Sequence, residues 1–204
     1  MLEIVNLTCA RGDRPLFQDL NFSLKPGEFL HVQGANGSGK TTLLRTLCGL
    51  SQPAAGEIRW NGARASEDLE NFRRQLCYVG HHNGLQGEFT AAENLAFHLT
   101  LAGDAGPTSI QEALGQLGLT AVARLPAKLL SQGQKRRLGL ARFLISQKPL
   151  WIMDEPITAM DVRSAARMTG YFTAHLDRGG LIVLTSHQEL TLASHPLRTL
   201  SLDA

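Results

Sequence analysis

Residues Gly34 to Thr41 read GANGSGKT and satisfy the pattern G-x-x-x-x-G-K-[ST]. The pattern carries meaning only between a β-strand and a helix. Both flanks fit: EFLHVQG before it is an apolar β-type run, and KTTLLRTLCGL after it has helical periodicity. In that setting Gly34, Ala35, Asn36, Gly37, Ser38 and Gly39 let main-chain N–H groups curl around phosphate oxygens. Lys40 then reaches the β- and γ-phosphates, Thr41 can ligate Mg²⁺, and the helix N-terminus through Thr42 adds favourable potential. Outside that setting the same octapeptide is an ordinary glycine-rich loop.

At 204 residues the chain has room for one good core, or one core with a small satellite. Its 20 basic and 18 acidic residues leave a net charge of +2, too small and too scattered to act as a nucleic-acid field. Any polyanion must therefore be bound locally. Cys9, Cys48 and Cys77 are odd in number and far apart, which argues for reduced core residues and a cytoplasmic address. The opening MLEIVNLTCARGDRP lacks a basic stretch followed by an apolar one, and no window approaches the roughly 18 apolar residues that cross a bilayer. Membrane attachment is expected only through a partner.

Short β-type runs, LEIVNL, NFSLK and EFLHVQG, open the chain between turn-rich pieces. Beyond Gly39 helix and strand alternate: GEIRWNG reads as a strand with a hairpin turn and LCYVGH as another strand. From about 90 to 130 the pattern is helical, in AAENLAFHLTL, IQEALGQLGL and AVARL, without a strand signal. A long helix (SQGQKRRLGLARFLISQ), the buried-type strand LWIMD, a helix from Asp161 to Asp177 and the strands LIVLTS and LRTLSLD follow. The order predicts one α/β domain over 1–204, with a core at about 1–89 and 131–204, an antiparallel N-terminal β layer on a mixed core sheet, and a helical insertion at about 90–130.

Two further stretches carry chemistry. LWIMDE ends in Asp154 and Glu155; adjacent strand residues face opposite ways, so one carboxylate can serve Mg²⁺ and the other an attacking water. Without a phosphate loop such a pair would be solvated surface. LLSQGQKRRLGLAR, Leu129 to Arg142, opens a helix at Ser131 just before that strand. By itself it is a serine N-cap on a basic amphipathic helix.

Taken together these motifs resemble the ATP-binding cassette (ABC) ATPases, a P-loop NTPase family. Ser131, Gly133 and Gln134 match its LSGGQ signature, with Gln132 in place of a glycine; TAMD, ending in Asp161, looks like its D-loop; His187 in LTSHQ stands where its switch histidine does; and ENLAF resembles the start of its helical subdomain. The resemblance covers essentially the whole chain. It implies two copies sandwiching two ATP molecules head to tail, each site pairing Lys40, Thr41, Asp154, Glu155 and His187 of one copy with Ser131 and Gly133 of the other. Opening and closing of that pair would drive an attached integral membrane permease.

The chain departs from the family at two places. The aromatic residue that usually stacks on adenine falls near Arg11, whose guanidinium plane can stack on a base or simply be a solvated turn residue. The family's glutamine at the Mg²⁺ and the water falls thirteen residues before Asn94, on His81, with His82 beside it. Two adjacent histidines also suggest a metal or haem site, but they project differently and no third ligand is in view. A nearby phosphate would favour protonated His81 and Mg²⁺ would oppose it.

A short chain with Gly-His at the glutamine loop, LSxGQ and Arg11 near adenine resembles the ATPase subunits of the cytochrome c maturation system. That resemblance implies haem export or release of a haem chaperone, powered from the cytoplasmic face of a bacterial inner membrane, with haem itself handled by other subunits and no haem ligand in this chain. Another small-molecule exporter, or a soluble ABC ATPase of cofactor assembly, are the alternatives. His31, His98, His175 and His195, with Trp60 and Trp151, are read as packing or surface residues.

Overall fold

A computed structural model of the chain describes residues 1–12, 14–103, 106, 108–158, 160–186, 195 and 197–202. Two sheets form the frame. An antiparallel four-stranded sheet has the order β2 (Arg14–Leu24), β1 (Leu2–Arg11), β4 (Ala55–Trp60), β5 (Ala63–Arg64). A parallel five-stranded sheet has the order β6 (Leu76–Val79), β7 (Leu150–Asp154), β8 (Leu181–Thr185), β3 (Phe29–Gln33), β9 (Leu197–Ser201). The antiparallel and parallel strands thus part into separate layers.

Alternation along the strands decides which layer each side chain joins. On β7 and β8, Leu150, Ile152, Leu181 and Val183 pack toward the antiparallel sheet and α1 (Lys40–Leu47). Trp151, Met153, Ile182 and Leu184 pack toward the helices of the other face. Every residue of both strands is buried, which is why they read as unbroken apolar runs. Each such fully buried aliphatic side chain contributes roughly 1.5–3 kcal/mol. In β1 the alternation changes parity: Leu2 and Ile4 point inward, and then Leu7 and Cys9 do. The bulge at Asn6 (φ 47°) makes the change, and its main-chain N–H donates to Asn21 Oδ1 at 2.9 Å.

The helical stretch begins with α3 (Ala91–Ala102) and α4 (Ile110–Gln116), capped by Thr90 with Glu93 and by Ser109 with Glu112 in reciprocal boxes. AVARL forms only a 3₁₀ turn at Thr120–Val122. The base of the stretch is drawn shut by main-chain bonds from Ala91 to Leu125 and from Ala127 to Phe89 (3.1 and 2.8 Å). A second 3₁₀ turn leads to α5 (Gln132–Ile145), and α6 (Val162–Asp177) joins β7 to β8. A short helix not foreseen from the sequence, α2 (Leu69–Arg74), is started by Asp68, which accepts from Asn71 N–H at 3.0 Å.

Because β3, β6, β7 and β8 run parallel, their carboxyl ends lie along one edge of the sheet. The segments that leave that edge are the glycine-rich loop, Gly80–Gly84, Glu155 and Ser186. In open parallel sheets ligands bind at this edge.

Candidate functional site

The loop from Gly34 to Gly39 leaves β3 and enters α1 at Lys40. Gly39 takes φ 102°, and a Cβ there would meet Leu16 Cβ at 3.1 Å and Phe17 Cδ1 at 3.2 Å. Strand β2 therefore presses against the loop, and only glycine suits both the angle and the space. Among the described residues no side chain caps the start of α1, so its first N–H groups are unclaimed by a cap. Ser38 Oγ is buried without a hydrogen-bond partner among the described residues, a polar atom suited to an added acceptor. Lys40 folds back and donates to the carbonyls of Gly34 and Ala35 at 2.7 and 3.0 Å.

Asp154 has the same parity as Ile152, the face that packs on α1, and this turns its carboxylate toward the loop. Thr41 donates its hydroxyl to Asp154 Oδ2 at 2.7 Å, and Thr185, at the end of β8, donates to Oδ1 at 2.6 Å. Both carboxylate oxygens of this buried residue are thereby oriented. The register of β7 on β8 pairs Asp154 with Thr185. The sequence reading missed Thr185, because only this pairing brings it to Asp154.

Glu155 follows with φ 51°, a left-handed conformation that costs a non-glycine residue about 1–2 kcal/mol. Its N–H donates to Thr185 Oγ1 at 3.0 Å and to Thr185 O at 3.2 Å, which holds the bend. Thr158 Oγ1 donates to Glu155 Oε2 at 3.0 Å. Asn36, Gly37, Gly39, Lys40, Thr41 and Thr42 line a cavity of about 170 Å³ with Asp154, Glu155 and Arg11. Arg11 ends β1 exposed, as part of that wall.

His81 does not line this cavity. It lies in an adjoining one of about 160 Å³, where Asp154 and Glu155 form the shared wall and Asn83, Gln132, Arg136 and Thr158 the rest. The rings of His81 and His82, both exposed, meet edge to face, with centroids 5.6 Å apart and planes inclined at 71°. Ser131 is the N-cap of α5: its Oγ accepts from Gln134 N–H at 3.2 Å, and its own N–H donates to Gln134 Oε1 at 2.8 Å. Gly133 lies in that first turn. Asp161 caps α6, accepting from Ser164 N–H and Oγ at 2.8 Å each. Ser131, Gly133, Gln134 and Asp161 are outside both cavities, and His187 lies outside the described residues.

Arg136 and Asn83 were also missed. Arg136 is 6 % exposed and its guanidinium donates to four acceptors around the ends of β6 and β7. Burial lowers its pKa, while Asp154 and Glu155 favour the charged form. Tyr78 on β6 is pushed up to about 12 by burial, with Asp154 contributing.

Residues 17–158 match the ABC transporter family. The chain belongs to that family. Among its relatives, the cytochrome c biogenesis ATP-binding export protein CcmA of Nitrosomonas europaea is 46% identical over 95% of this chain and 92% of the relative. The protein of the same name from Dechloromonas aromatica is 46% identical over 99% of this chain and 100% of the relative. A dimeric ATP-binding cassette in a post-hydrolysis state bound to ADP and Pi superposes with a TM-score of 0.81 at 25% identity, over 92% of this chain and 88% of that one. As an ABC ATPase the chain binds and hydrolyses ATP, and the α/β frame of two sheets with added helices is the family's fold.

Proposed function

We propose that the chain is the ATP-hydrolysing subunit of a membrane complex that exports haem, or releases a haem chaperone, during assembly of c-type cytochromes. The observation that carries this reading is its similarity, across nearly the whole of both chains, to cytochrome c biogenesis ATP-binding export proteins. Among the described residues no helix is long and apolar enough to cross a membrane. An integral permease of a cytochrome c maturation complex, met at the cytoplasmic face of the inner membrane, would supply the crossing.

The geometry supports a division of labour within the site. Main-chain N–H groups of Gly34 to Thr42 and the Lys40 ammonium, once drawn from its own loop carbonyls, hold the β- and γ-phosphates. Asp154 and Thr41 offer hard oxygen donors 2.7 Å apart, a donor set that fits Mg²⁺, directly or through water. A bound Mg²⁺ supplies neutralisation of phosphate charge. Glu155 polarises the attacking water, with Thr158 and Thr185 fixing its direction. Arg11, on the wall of the phosphate cavity, is the residue assigned to stack on adenine, and His81, in the adjoining cavity with Asp154 and Glu155, is assigned the glutamine position.

Ser131, Gly133 and Gln134 at the start of α5, with Asp161, serve the site of a second copy in a head-to-tail dimer, and His187 bridges γ-phosphate and water. A closed two-fold pair brings each exposed signature turn to the other copy's phosphates. Hydrolysis removes the phosphate between them and the copies part. In a bacterial strain lacking the gene, wild-type chain is expected to restore haem-stained c-type cytochromes, and to co-purify from solubilised membranes with a multi-span protein. Recovery with soluble partners alone, or cytochrome c levels indifferent to the gene, would overturn the proposal.

A further inference from the structure

One face of α5 is built to receive the loop that leaves β6. Arg136, Gly139 and Arg142 recur at intervals of three, so they share a side of the helix. Arg136 Nη1 donates to Gly80 O and to Asn83 Oδ1, both at 2.9 Å. A Cβ on Gly139 would meet Asn83 Cβ and Oδ1 at 3.3 Å, so Asn83 rests directly on the helix at a position without a side chain. Arg142 Nη2 donates to Gly84 O. The same Arg136 guanidinium also donates to Asp154 O through Nη2 and to Pro156 O through Nε at 3.3 Å.

A single planar, permanently charged group thus joins the loop at 80–84 to the main chain on both sides of Glu155. A lysine cannot reproduce it, because one ammonium cannot span four acceptors spread over two strand ends. Movement of the carboxylate strand must be met either by movement of the loop or by breaking of this buried fork. The loop's outer side is exposed at His81 and His82, and His82 and Asn83 line a separate groove with Lys128 and Lys135.

We infer that Arg136 is a positioning residue that carries the nucleotide-dependent state of Asp154 and Glu155 to the His81–Asn83 loop. The inference rests on the nucleotide site proposed above. It assigns Arg136 no contact with ATP: its effect passes through main-chain carbonyls and Asn83.

Hydrogen exchange read by mass spectrometry on the full-length chain, with and without ATP and Mg²⁺, separates the two claims. In wild type, peptides covering 34–42 and 80–86 should both gain protection. Asn83→Ala should keep the gain at 34–42 and lose about fivefold of the gain at 80–86, the effect of one ordinary hydrogen bond; Arg136→Lys, which also disturbs the bond to Gly80 O, should keep the gain at 34–42 and lose at least as much at 80–86. Asn83→Asp, which keeps an acceptor for the guanidinium, should restore it. The double variant should be no worse than Arg136→Lys alone, which already cuts the link to Asn83. Equal protection at 80–86 in all variants, or losses that multiply in the double variant, would overturn the inference. So would failure of Asn83→Asp to restore it, or a parallel loss in both windows. No protection at 34–42 in wild type would instead remove the nucleotide site, and the inference with it.

Discussion

Thr41, in the first turn of α1, donates its hydroxyl to Asp154 Oδ2 over 2.7 Å, although 113 residues separate them in the chain. The contact joins the end of the phosphate loop to the end of β7. Asp154→Asn keeps the size of the side chain but removes the charge that a divalent cation requires. ATP turnover should fall on the order of hundredfold, comparable to removing one preorganised electrostatic group from an active site. A titration of Mg²⁺ in the phosphate-release assay checks this; wild-type turnover with an unchanged Mg²⁺ midpoint would remove Asp154 from the site.

Glu155 combines a left-handed φ of 51° with a hydrogen bond from Thr158 to its carboxylate. Glu155→Gln retains an oxygen to accept from Thr158 and loses only the ability to take a proton. Turnover should drop roughly 10²–10⁴-fold while ATP affinity stays within about twofold. Gel filtration with ATP and Mg²⁺ should then show a persistent dimer. Near-normal phosphate release by this variant would place the base elsewhere.

Ser131 does two jobs if the head-to-tail dimer forms. As N-cap of α5 it is worth about 1 kcal/mol, which Ser131→Ala should lose. Ser131→Asp keeps a capping oxygen and should recover the melting temperature. Its carboxylate, however, would face the γ-phosphate of a second copy, so the ATP-dependent dimer should be absent. Thermal melts and gel filtration on the same samples distinguish the roles. Dimerisation of Ser131→Asp at wild-type ATP concentrations would leave the capping role alone.

His175 of α6 lies flat on Trp151 at 3.8 Å, and its ring crowds Gly180 so closely that a Cβ there would come within 2.4 Å of three ring atoms. Burial pulls its pKa down to about 4, against the hydrogen bond from Nε2 to Pro149 O and with the Arg178 charge adding to the fall. The folded state thus binds this proton less readily than the unfolded chain, whose histidines titrate near 6.5. Stability is therefore full above about pH 6.5 and declines as the pH falls toward 4, by up to about 3 kcal/mol. His175→Gln should flatten that slope in urea melts at pH 7.5, 6 and 5. An equal slope in the variant would assign the acid sensitivity to other groups.

Much of the site was readable because it is written in contiguous stretches. GANGSGKT carries its own geometry, since glycines at Gly34, Gly37 and Gly39 permit φ of 148°, 88° and 102° wherever the loop stands. The N-cap read at Ser131 is equally local and starts α5 as expected; the reciprocal boxes at Thr90 and Ser109, which the sequence reading did not use, are just as local. Strands LWIMD and LIVLT declare their burial by being apolar throughout. Less was visible in AVARL, whose apolar residues make a 3₁₀ turn, and in LENFRR, too short to show a period.

What local pattern could not disclose were relations across the sheet. Arg136 looks like one more base on a basic helix until folding brings Gly80, Asn83, Asp154 and Pro156 around its guanidinium. Thr185 becomes a partner of Asp154 only when β8 is laid against β7 in register. Likewise Arg11 reaches the wall of the phosphate cavity because the antiparallel sheet leans on the loop through Phe17. Chemistry held within a few residues follows from backbone conformation and spacing. Chemistry assembled from distant strands depends on which edges meet, and that is set by burying both faces of the parallel sheet at once.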